Sequence, residues 1–539
     1  MAQELRLVRS VKRHSVSGAA KGLWLFALLT IPLGNLGGAT PFESGVGPAN
    51  PVHEIDRAVF AQLQALKLQP ARLCSDAVFV RRIYLDVAGT VPSAYEAEQF
   101  ILDRTPGKRQ ALIARLLARD EFADYLALKW GDLLRIKAEF PINLWPNAAQ
   151  AYHRWVREAI RANKPCDQFA RELLTASGSN FDAPAVNFFR AMQNRTPVGI
   201  AQTVALTFLG ERAEIWPSNK LQELSVFFAN VGYKSTAEWK EEIVFFNRSS
   251  TNHGALNGTA QPAIFPDGST VVLAPDQDPR VVFADWLVRH PRFARNLVNR
   301  AWSWLLGRGI IHEPDDIRPD NPPANPELLA VLEKSFITSG YDFKTLYRMI
   351  LNSQTYQLAC IPQNTTLEAA ANFASYPLRR VEAEVLIDVV DQITGTSEKY
   401  SSAIPEPYTF IPDTLRSVAL PDGSITSPFL EMFGRPARDT GLESERNNRI
   451  TASQKLYFLN SSQLQRKIEL SRMVGFQSAT NRAPDQVVRG MYLGILSRFP
   501  TRAELQTAES IFQPGMSRRQ AVIDLAWALM NSAEFLYHH

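Results

Sequence analysis

The chain has 539 residues, of which 45% are hydrophobic and 21% charged. This composition excludes a largely disordered chain and a membrane-embedded one, and the length suffices for two to four domains at about 100 to 200 residues per domain. Three cysteines exclude a disulfide framework, and no apolar run after residue 40 is long enough to span a membrane.

The first 39 residues have the pattern of a secretory signal peptide. Five basic residues come before the apolar run Gly22–Ile31, and the small residues Gly37, Gly38 and Ala39 form a cleavage site. The alternative is an uncleaved anchor, which Pro32 and the glycines disfavour because they interrupt a short run. We therefore expect an exported protein of the periplasm or cell envelope, with no membrane span after cleavage.

Loss of this segment changes the charge balance. Residues 1–39 contain five of the 58 Lys and Arg residues and one of the 54 Asp and Glu residues, so that the net charge falls from +4 to zero. A globally basic surface for nucleic acid is therefore not expected. Export also makes Cys74, Cys166 and Cys360 candidates for one disulfide, and the sequence leaves all three pairings open.

Helical patterns dominate the rest of the chain. Ser93 and Glu96 form a capping box, in which the serine hydroxyl accepts from the third backbone N–H and the glutamate reaches back. Residues 281–306 carry apolar stripes between arginines and indicate two short helices broken near Pro291.

Strand signals are few. Glu242–Asn247 and Ala263–Leu273 are expected to form a small sheet. The Pro-rich stretch Ile404–Pro436 separates two helical blocks and indicates a long surface loop or lid. We predict a mainly α, multi-helical fold with a small β element near residues 242–273 and a long Pro-rich loop.

One short pattern occurs twice at a constant spacing. Val80-Arg81, Tyr84-Leu85, Pro92-Ser93 and Glu96 are matched, 408 residues later, by Val488-Arg489, Tyr492-Leu493, Pro500-Thr501 and Glu504. Both copies indicate a helix, a capped turn and further helices. We interpret them as two copies of a small helical module that pack as framework; a paired binding surface is the alternative.

Several catalytic and cofactor motifs are missing from the sequence. It has no Gly-x-Ser-x-Gly elbow, no Walker loop and no Gly-x-Gly-x-x-Gly. It also has no His-x-x-x-His, His-Glu-x-x-His or Cys-x-x-Cys-His, the patterns of helix-borne zinc sites and covalent haem. We therefore predict no metal and no cofactor.

The densest polar stretch runs from residue 299 to residue 318. Glu313, Asp315 and Asp316 are candidate catalytic residues, as hard oxygen ligands of a divalent cation or as an acid/base pair whose pKa values the nearby arginines separate. The candidate binding residues of this stretch are Arg300, Trp302, Arg308 and Arg318. The favoured alternative is an ion-pair and capping network, because carboxylates interleaved with arginines usually neutralise one another.

Two further clusters contain candidates. Trp239, with carboxylates on both sides, is a candidate sugar-binding platform; a half-buried edge strand explains the same residues. Glu443 and Glu445 lie two residues apart beside Arg446, so in an extended segment they point the same way, as a glycosidase pair sometimes does. A loop neutralised by arginine is the favoured alternative there.

These residues resemble a known two-domain family. Val80–Gly89, Trp155–Leu174 and Thr207–Gly210 are similar to the first of two domains of unknown function that abound in planctomycetes and related bacteria, often behind a planctomycete cytochrome c module. Five further segments resemble the second domain: Ala284–Leu287, Asn299–Trp302, Gly307–Gly309, Pro326–Leu329 and Asn531–Phe535. The resemblance implies a PSCyt-type domain over 50–250, a linker or hairpin over 251–278, and a PSD-type domain over 279–539. The family implies no particular reaction.

The chain departs from this family in two segments. Relatives commonly follow the Phe-Leu-Gly segment with Cys-Ala-x-Cys-His-x-His-Pro, whereas Glu211–Asn219 contains no cysteine or histidine. Relatives also tend to carry Cys-Glu-Cys-Glu-Arg where this chain has Leu442–Arg446. Thiolates and imidazoles at such spacings suit a metal or haem, and their joint loss indicates that the two segments meet in space. We hypothesise that this protein is a metal-free version of that site.

Three classes of function stay open. The first is an exported binding or scaffold protein that holds a polysaccharide or an envelope protein, and it is favoured by the helical repeat and the lack of a catalytic motif. The second is a hydrolase or lyase that acts on a polysaccharide with paired carboxylates. The third, implied by the family's neighbours, is an accessory to c-type cytochrome electron transfer. The sequence leaves open whether the protein is an enzyme.

Overall fold

The fold is mainly helical, as predicted. The computed structural model describes residues 40–49, 51, 53–248, 261–274, 276–479, 481–512 and 515–539. From Ala39 to His539 the chain forms one compact unit. The predicted signal peptide and residues 251–260 of the predicted linker lie outside the described residues.

The described part of the first half of the chain contains ten α-helices. They are α1 (Glu54–Ala65), α2 (Asp76–Ala88), α3 (Ala94–Leu102), α4 (Lys108–Leu117), α5 (Asp120–Leu133), α6 (Pro146–Arg161), α7 (Cys166–Thr175), α8 (Asn187–Arg190), α9 (Pro197–Val204) and α10 (Ser218–Ser225).

The helices of the second half begin after a β hairpin. They are α11 (Pro279–Leu287), α12 (Pro291–Leu306), α13 (Pro326–Thr338), α14 (Phe343–Asn352), α15 (Leu367–Ala371), α16 (Ala383–Thr394), α17 (Pro428–Met432), α18 (Ala452–Asn460), α19 (Ser462–Glu469), α20 (Arg472–Ala479), α21 (Pro484–Leu496), α22 (Arg502–Glu509), α23 (Arg518–Met530) and α24 (Ala533–Leu536). The predicted break at Pro291 is confirmed, since this proline begins α12.

The β structure is divided differently from the prediction. The strands are β1 (Gly178–Ser179), β2 (Val231–Ser235), β3 (Glu242–Phe246), β4 (Gln261–Ile264), β5 (Thr270–Leu273), β6 (Arg379–Arg380) and β7 (Tyr537–His538). Strand β3 pairs with β1 on one side and β2 on the other, and β4 pairs with β5 in a separate antiparallel hairpin. The prediction of one sheet from these two segments is therefore wrong: among the described strands, β3 pairs with β1 and β2, and β4 pairs with β5.

Two apolar cores hold the helices together. The first core collects buried side chains from Ile55 to Tyr376, and the second collects those from Val381 to Phe535. Leu85 and Leu128, which lie on α2 and α5, belong to the second core. The first half of the chain therefore contributes to both cores, and the second half changes from the first core to the second near residue 380.

The predicted repeat is a pair of matching helical modules. Helices α2 and α3 correspond to α21 and α22, and both capping boxes are formed, by Ser93 with Glu96 and by Thr501 with Glu504. Helix α21 packs against α3, so the two copies contact each other. This packing agrees with the framework interpretation.

The Pro-rich stretch Ile404–Pro436 is only partly a surface loop. Its beginning is largely exposed, but Val418, Leu420, Ile425 and Phe429 are buried in the second core. The stretch is mostly loop, as predicted, but the expectation that all of it lies at the surface is wrong, because its second half supplies core side chains. A short helix, α17, lies within that half.

Two further findings bear on earlier expectations. The three cysteines, Cys74, Cys166 and Cys360, are all free thiols, so none of the candidate disulfides is formed. None of the described helices combines the length and the apolar composition needed to cross a membrane.

The stability of the protein is expected to fall in mild acid because of buried histidines. Burial lowers the pKa of His153 to about 3 and that of His539 to about 3. The unfolded chain binds these protons near pH 6.5 and the folded protein does not, so the free energy of unfolding decreases as the pH falls below 6.5, by about 2 kcal/mol per histidine between pH 7.5 and 5. Urea denaturation at both pH values measures this, and His153→Gln should make the dependence shallower. An unchanged dependence in that variant would contradict the expectation.

Candidate functional site

A buried cluster of charged side chains surrounds Lys129, which is only 5% exposed. We call it the Lys129 cluster. Its members come from α2, α5, the entry to α16 and the segment before α18, and they are Asp86, Tyr125, Lys129, Asp132, Arg379, Glu382, Glu384, Arg438 and Arg446. Burial of this many charges is stable only where each finds a partner of opposite sign.

Helix α5 aligns three of these side chains. Tyr125, Lys129 and Asp132 follow each other at helical spacing and therefore lie on one face. Lys129 Nζ forms an ion pair with Glu382, and the Tyr125 hydroxyl donates to Glu382 Oε2 at 3.2 Å. Glu382 is the N-cap of α16, where the helix dipole also favours a negative charge.

Arg446 links α5 to α16. Its Nη2 lies 2.7 Å from Asp132 Oδ2, and its Nη1 lies 2.6 Å from Glu384 Oε2. The other oxygen of Asp132 accepts from Arg438 Nε at 2.9 Å. Asp132 thus binds two guanidinium groups, both from the segment that follows the Pro-rich stretch.

Asp86 on α2 forms the second centre of the cluster. Its Oδ1 accepts from Arg379 Nη2 at 2.6 Å, and its Oδ2 accepts from the hydroxyls of Tyr356 at 2.8 Å and Tyr376 at 3.0 Å. The Arg82 guanidinium, one helical turn earlier, lies 3.6 Å from the centroid of the Tyr376 ring. Both oxygens of the Asp86 carboxylate are therefore satisfied.

Two sequence candidates, Asp315 and Glu443, meet next to this cluster. Asp315 Oδ1 accepts from Arg300 Nη2 at 2.6 Å, and its Oδ2 accepts from the backbone N–H of Glu443 at 2.6 Å. Trp304 Nε1 donates to Glu443 Oε2 at 3.3 Å. Asp315 and Arg300 are at most 1% exposed, so this pair fixes the segment of Glu443 to the loop after α12.

A π-helical turn supplies unusual acceptors beside this pair. Residues Ala205–Leu209 continue α9 with wider turns, which shift the helical hydrogen bonds. The carbonyl of Leu206 accepts from Arg300 at 3.2 Å, and that of Thr207 accepts from Asn296 at 2.9 Å. The backbone N–H of Ile317 donates to the Gly210 carbonyl at 2.9 Å.

One loop contacts Glu443 of the second departing segment and Gly210, the residue that precedes the first. The backbone N–H of Ile317 donates to Gly210, and that of Glu443 donates to Asp315, two residues before Ile317. The expectation that the two departing segments themselves meet in space stays a prediction. Among the described residues, no group of three His, Cys, Asp or Glu side chains is placed to hold a metal ion.

Space inside the cluster is limited. Two cavities of about 10 Å³ adjoin Lys129, one lined by Asp86, Tyr125 and Trp304, and the other by Glu443 and Arg446 among others. Each has room for about one water molecule, and neither can hold a sugar ring. The Lys129 cluster is therefore closed to a polymer substrate.

The carboxyl groups of the cluster have opposed pKa shifts. Burial raises the pKa of Glu443, although Lys129 and Arg300 oppose the shift. Burial also opposes ionisation of Glu382, but Lys129 and Arg446 outweigh it and hold the pKa of Glu382 far below its usual range. Such opposed shifts are typical of acid/base pairs, but they serve a reaction only where substrate can enter.

The remaining carboxylate candidates lie outside the cluster. Arg318 Nε lies 2.9 Å from Asp316 Oδ1 in a partly exposed ion pair, and the Glu313 side chain is 48% exposed beside His312. Glu445 Oε1 accepts from the backbone N–H groups of Asp439 and Thr440 and so stabilises its own loop. These three carboxylates do not share a site with Glu443.

The candidate binding residues are also scattered. Trp302 is fully buried and packs edge-on against Phe373, so its ring presents no exposed face to a ligand. Arg300 and Arg446 are buried within the ion-pair network. Arg308 is half-buried, and its Nε has no hydrogen-bond partner.

Trp239, by contrast, lies in an exposed group of aromatic rings. Its ring is 67% exposed and stands almost perpendicular to that of Trp145, at 84° and 6.1 Å between centroids. Tyr408, which is 47% exposed, lies 5.4 Å from Trp145. Lys240 places its ammonium group 4.8 Å from Trp145 and 5.1 Å from Trp239. We call Trp145, Trp239 and Tyr408 the aromatic surface.

Three chain segments build this surface. Trp145 precedes α6, Trp239 lies in the turn between β2 and β3, and Tyr408 belongs to the exposed start of the Pro-rich stretch. Glu139 Oε1 accepts from the backbone N–H of Ala403 at 3.0 Å and joins the first segment to the third. The contact of these three rings was not predictable from the sequence, because they lie far apart along the chain.

The molecule is thus a helical protein in which buried ion pairs join the two halves of the chain and an aromatic group faces solvent. Residues 54–214 match PSCyt2, a protein of unknown function (DUF1549), and residues 279–512 match PSD1, a protein of unknown function (DUF1553). The chain therefore has the two-domain PSCyt/PSD arrangement, as the resemblance implied. Searches of curated proteins and of solved structures find no match.

Removal of one charge from the Lys129–Glu382 pair should destabilise the fold strongly. Lys129→Met leaves Glu382 buried without its main partner, and we expect the free energy of unfolding to fall by about 3 to 5 kcal/mol. The double variant Lys129→Met, Glu382→Gln should recover most of this loss. Lys164→Met, which breaks the more exposed pair with Glu172, is the control and should cost about 1 kcal/mol or less. Additive losses in the double variant, measured by urea denaturation, would contradict the pairing.

Proposed function

We propose that the protein is an exported binding protein of the cell envelope and that it holds a polysaccharide chain on the aromatic surface. The observation that carries the proposal is the exposure of Trp239 and Tyr408 beside the ring of Trp145, which is half-buried. Large exposed apolar groups that are rimmed by polar residues typically mark interaction sites.

The geometry of the rings favours a sugar chain as the occupant. The perpendicular rings of Trp145 and Trp239 form a corner that can contact the apolar face of one sugar and the edge of the next. Lys240 adds an ammonium donor for hydroxyl or acidic groups beside the rings. A purely apolar partner could not accept a hydrogen bond from this ammonium group.

The buried carboxylates support binding over hydrolysis. Asp315 accepts a hydrogen bond from the backbone N–H of Glu443, but the cavities next to Lys129 hold about one water molecule each. Asp315 is also paired with Arg300. The alternative of a polysaccharide hydrolase or lyase therefore lacks a substrate path to its carboxylates, and a role beside c-type cytochromes rests on the family's neighbours alone.

Electrophoresis in gels that contain neutral polysaccharides (xylan, mixed-linkage β-glucan, galactomannan) or a sulfated one (carrageenan) tests the proposal. At least one polymer should retard the protein, and Trp239→Ala should weaken binding about tenfold or more, as expected for loss of a central aromatic contact. Phe476→Ala removes a ring that is 55% exposed elsewhere and is the control. Equal retardation of the Trp239→Ala variant, or none for any polymer, would overturn the proposal.

A turnover assay with the same polymers separates binding from catalysis. We expect no release of reducing ends. If the protein did cleave a polymer, and if Glu443→Gln abolished cleavage without changing the melting temperature, the hydrolase alternative would replace the binding proposal.

Export has its own test. Expression of the full chain in a bacterium should yield a shortened protein outside the cytoplasm whose first residue lies near position 40, as the small residues 37–39 predict. Mass spectrometry of the fractionated cells identifies that residue. Recovery of the uncleaved chain in the cytoplasm alone would contradict an envelope location.

A further inference from the structure

The exposed aromatic side chains are concentrated around the aromatic surface. In the described part of the chain, seven aromatic side chains are between 39% and 80% exposed. Two of them, Tyr95 on α3 and Phe476 on α20, lie on other segments. The other five lie on the segments that build the aromatic surface, or on the end of β1 beside them: Phe140, Phe181, Trp239, Tyr408 and Phe410.

Two of these rings share a segment with a ring of the aromatic surface. The backbone N–H of Trp145 donates to the carbonyl of Ala138 at 3.1 Å, so residues 138–145 form a closed loop that also carries Phe140. Phe410 follows Tyr408 by two residues. Two residues of chain span at most about 7 Å, so the backbone of Phe140 stays close to Ala138 and that of Phe410 close to Tyr408.

Phe181 reaches the same region from the end of β1. Its backbone N–H donates to the Ser179 hydroxyl at 3.1 Å, and this hydroxyl donates to Glu241 in the turn between β2 and β3. Asn180 Nδ2 donates to the carbonyl of Lys240 in the same turn at 3.4 Å. Phe181 therefore lies beside the turn that carries Trp239. We call six residues the extended aromatic face: Phe140, Trp145, Phe181, Trp239, Tyr408 and Phe410.

The large apolar side chains that these segments expose are all aromatic. Thirteen large aliphatic side chains of the described residues are also exposed, and none of them belongs to residues 138–145, 179–181, 236–241 or 403–410. A lipid surface is usually contacted by leucines together with aromatic residues. Flat rings without aliphatic neighbours instead fit the flat apolar face of a sugar ring.

The loop that carries Phe140 and Trp145 is fixed to the rest of the protein although its rings are exposed. The backbone N–H of Ala138 donates to the buried Asp422 at 2.8 Å, and that of Glu139 donates to Ser424 Oγ at 2.9 Å. The Glu139 carboxylate in turn holds the start of the Pro-rich stretch. Rings on a fixed backbone lose little conformational freedom when a ligand binds, which favours affinity.

We propose that the occupant of the aromatic surface is the interior of a long polysaccharide chain, which lies along the extended aromatic face and contacts it through several consecutive sugars. This inference rests on the proposed function and specifies its ligand. One or two sugars cover the corner of Trp145 and Trp239, whereas six rings from four segments need a longer chain. A disaccharide or a chain end leaves Phe140 and Phe410 without contact. Affinity therefore increases with chain length, because each further contact forms at a high effective concentration.

Calorimetric titration with oligosaccharides of two, four and six sugars tests the length dependence. The oligosaccharides are prepared from whichever of xylan, mixed-linkage β-glucan, galactomannan or carrageenan retards the protein. We expect the six-sugar chain to bind at least about tenfold more tightly than the two-sugar chain. Binding of the polymer with no detectable binding of the two-sugar chain also supports the inference. Equal affinities of the two-sugar and six-sugar chains would overturn it.

Two phenylalanine variants locate the contact. Phe140→Ala and Phe410→Ala each remove an exposed ring outside the aromatic surface. The double variant should weaken polymer binding by about tenfold with an unchanged melting temperature, because neither ring packs in a core. Phe476→Ala makes the same change on α20 and is the matched control, which should bind normally. Wild-type polymer affinity in the double variant would refute the extended aromatic face.

The failure of this inference differs from the failure of the proposed function. If no polymer retards the wild-type protein, both are overturned, and sedimentation of the protein with phospholipid vesicles would then assign the exposed rings to a lipid surface. If Trp239→Ala abolishes retardation but the double phenylalanine variant binds like the wild type, the proposed function stands and only the long-chain contact is wrong.

Discussion

The ion pair of Lys129 with Glu382 is the constraint on which the rest of the structure depends. A lysine ammonium on a helix face among apolar side chains is tolerable only beside a carboxylate, and the PSD1 region supplies it. Arg446 and Arg379 extend the same principle to Asp132 and Asp86. Charges of the PSCyt2 region are thus neutralised by charges of the PSD1 region.

This arrangement separates two kinds of polar chemistry in the molecule. The buried carboxylates near Lys129 are satisfied by arginines, tyrosines and backbone N–H groups, so they position chain segments. The group that faces solvent is different: it is the aromatic surface. The aromatic surface is open to a ligand, whereas the cavities beside the densest charges, those around Lys129, hold about one water molecule each.

Local patterns predicted local structure well. The capping box at Ser93, the break at Pro291 and the repeat follow from hydrogen-bonding rules between residues close in sequence, and the structure has all three. The contact of Asp315 with Glu443 was not predicted from the sequence, because the two residues lie far apart along the chain. Pairing between residues far apart in sequence was not predictable. A lysine on an amphipathic helix is expected to face solvent, so the burial of Lys129 against Glu382 could not be foreseen. Nothing in the sequence indicates that β3 pairs with residues 231–235.

The division of the apolar cores near residue 380 decides whether the PSCyt2 and PSD1 regions can be separated, in evolution or by engineering. The match to PSCyt2 ends at residue 214, yet helices α2 and α5 within it need side chains from beyond Val381 to exclude water. Expressed alone, residues 54–214 would expose apolar side chains of α2 and α5 to water, and Asp86, Lys129 and Asp132 would lack their partners of opposite charge. The two regions are therefore halves of one folding unit, and a gene fusion or a shuffled domain that separated them would yield an insoluble fragment.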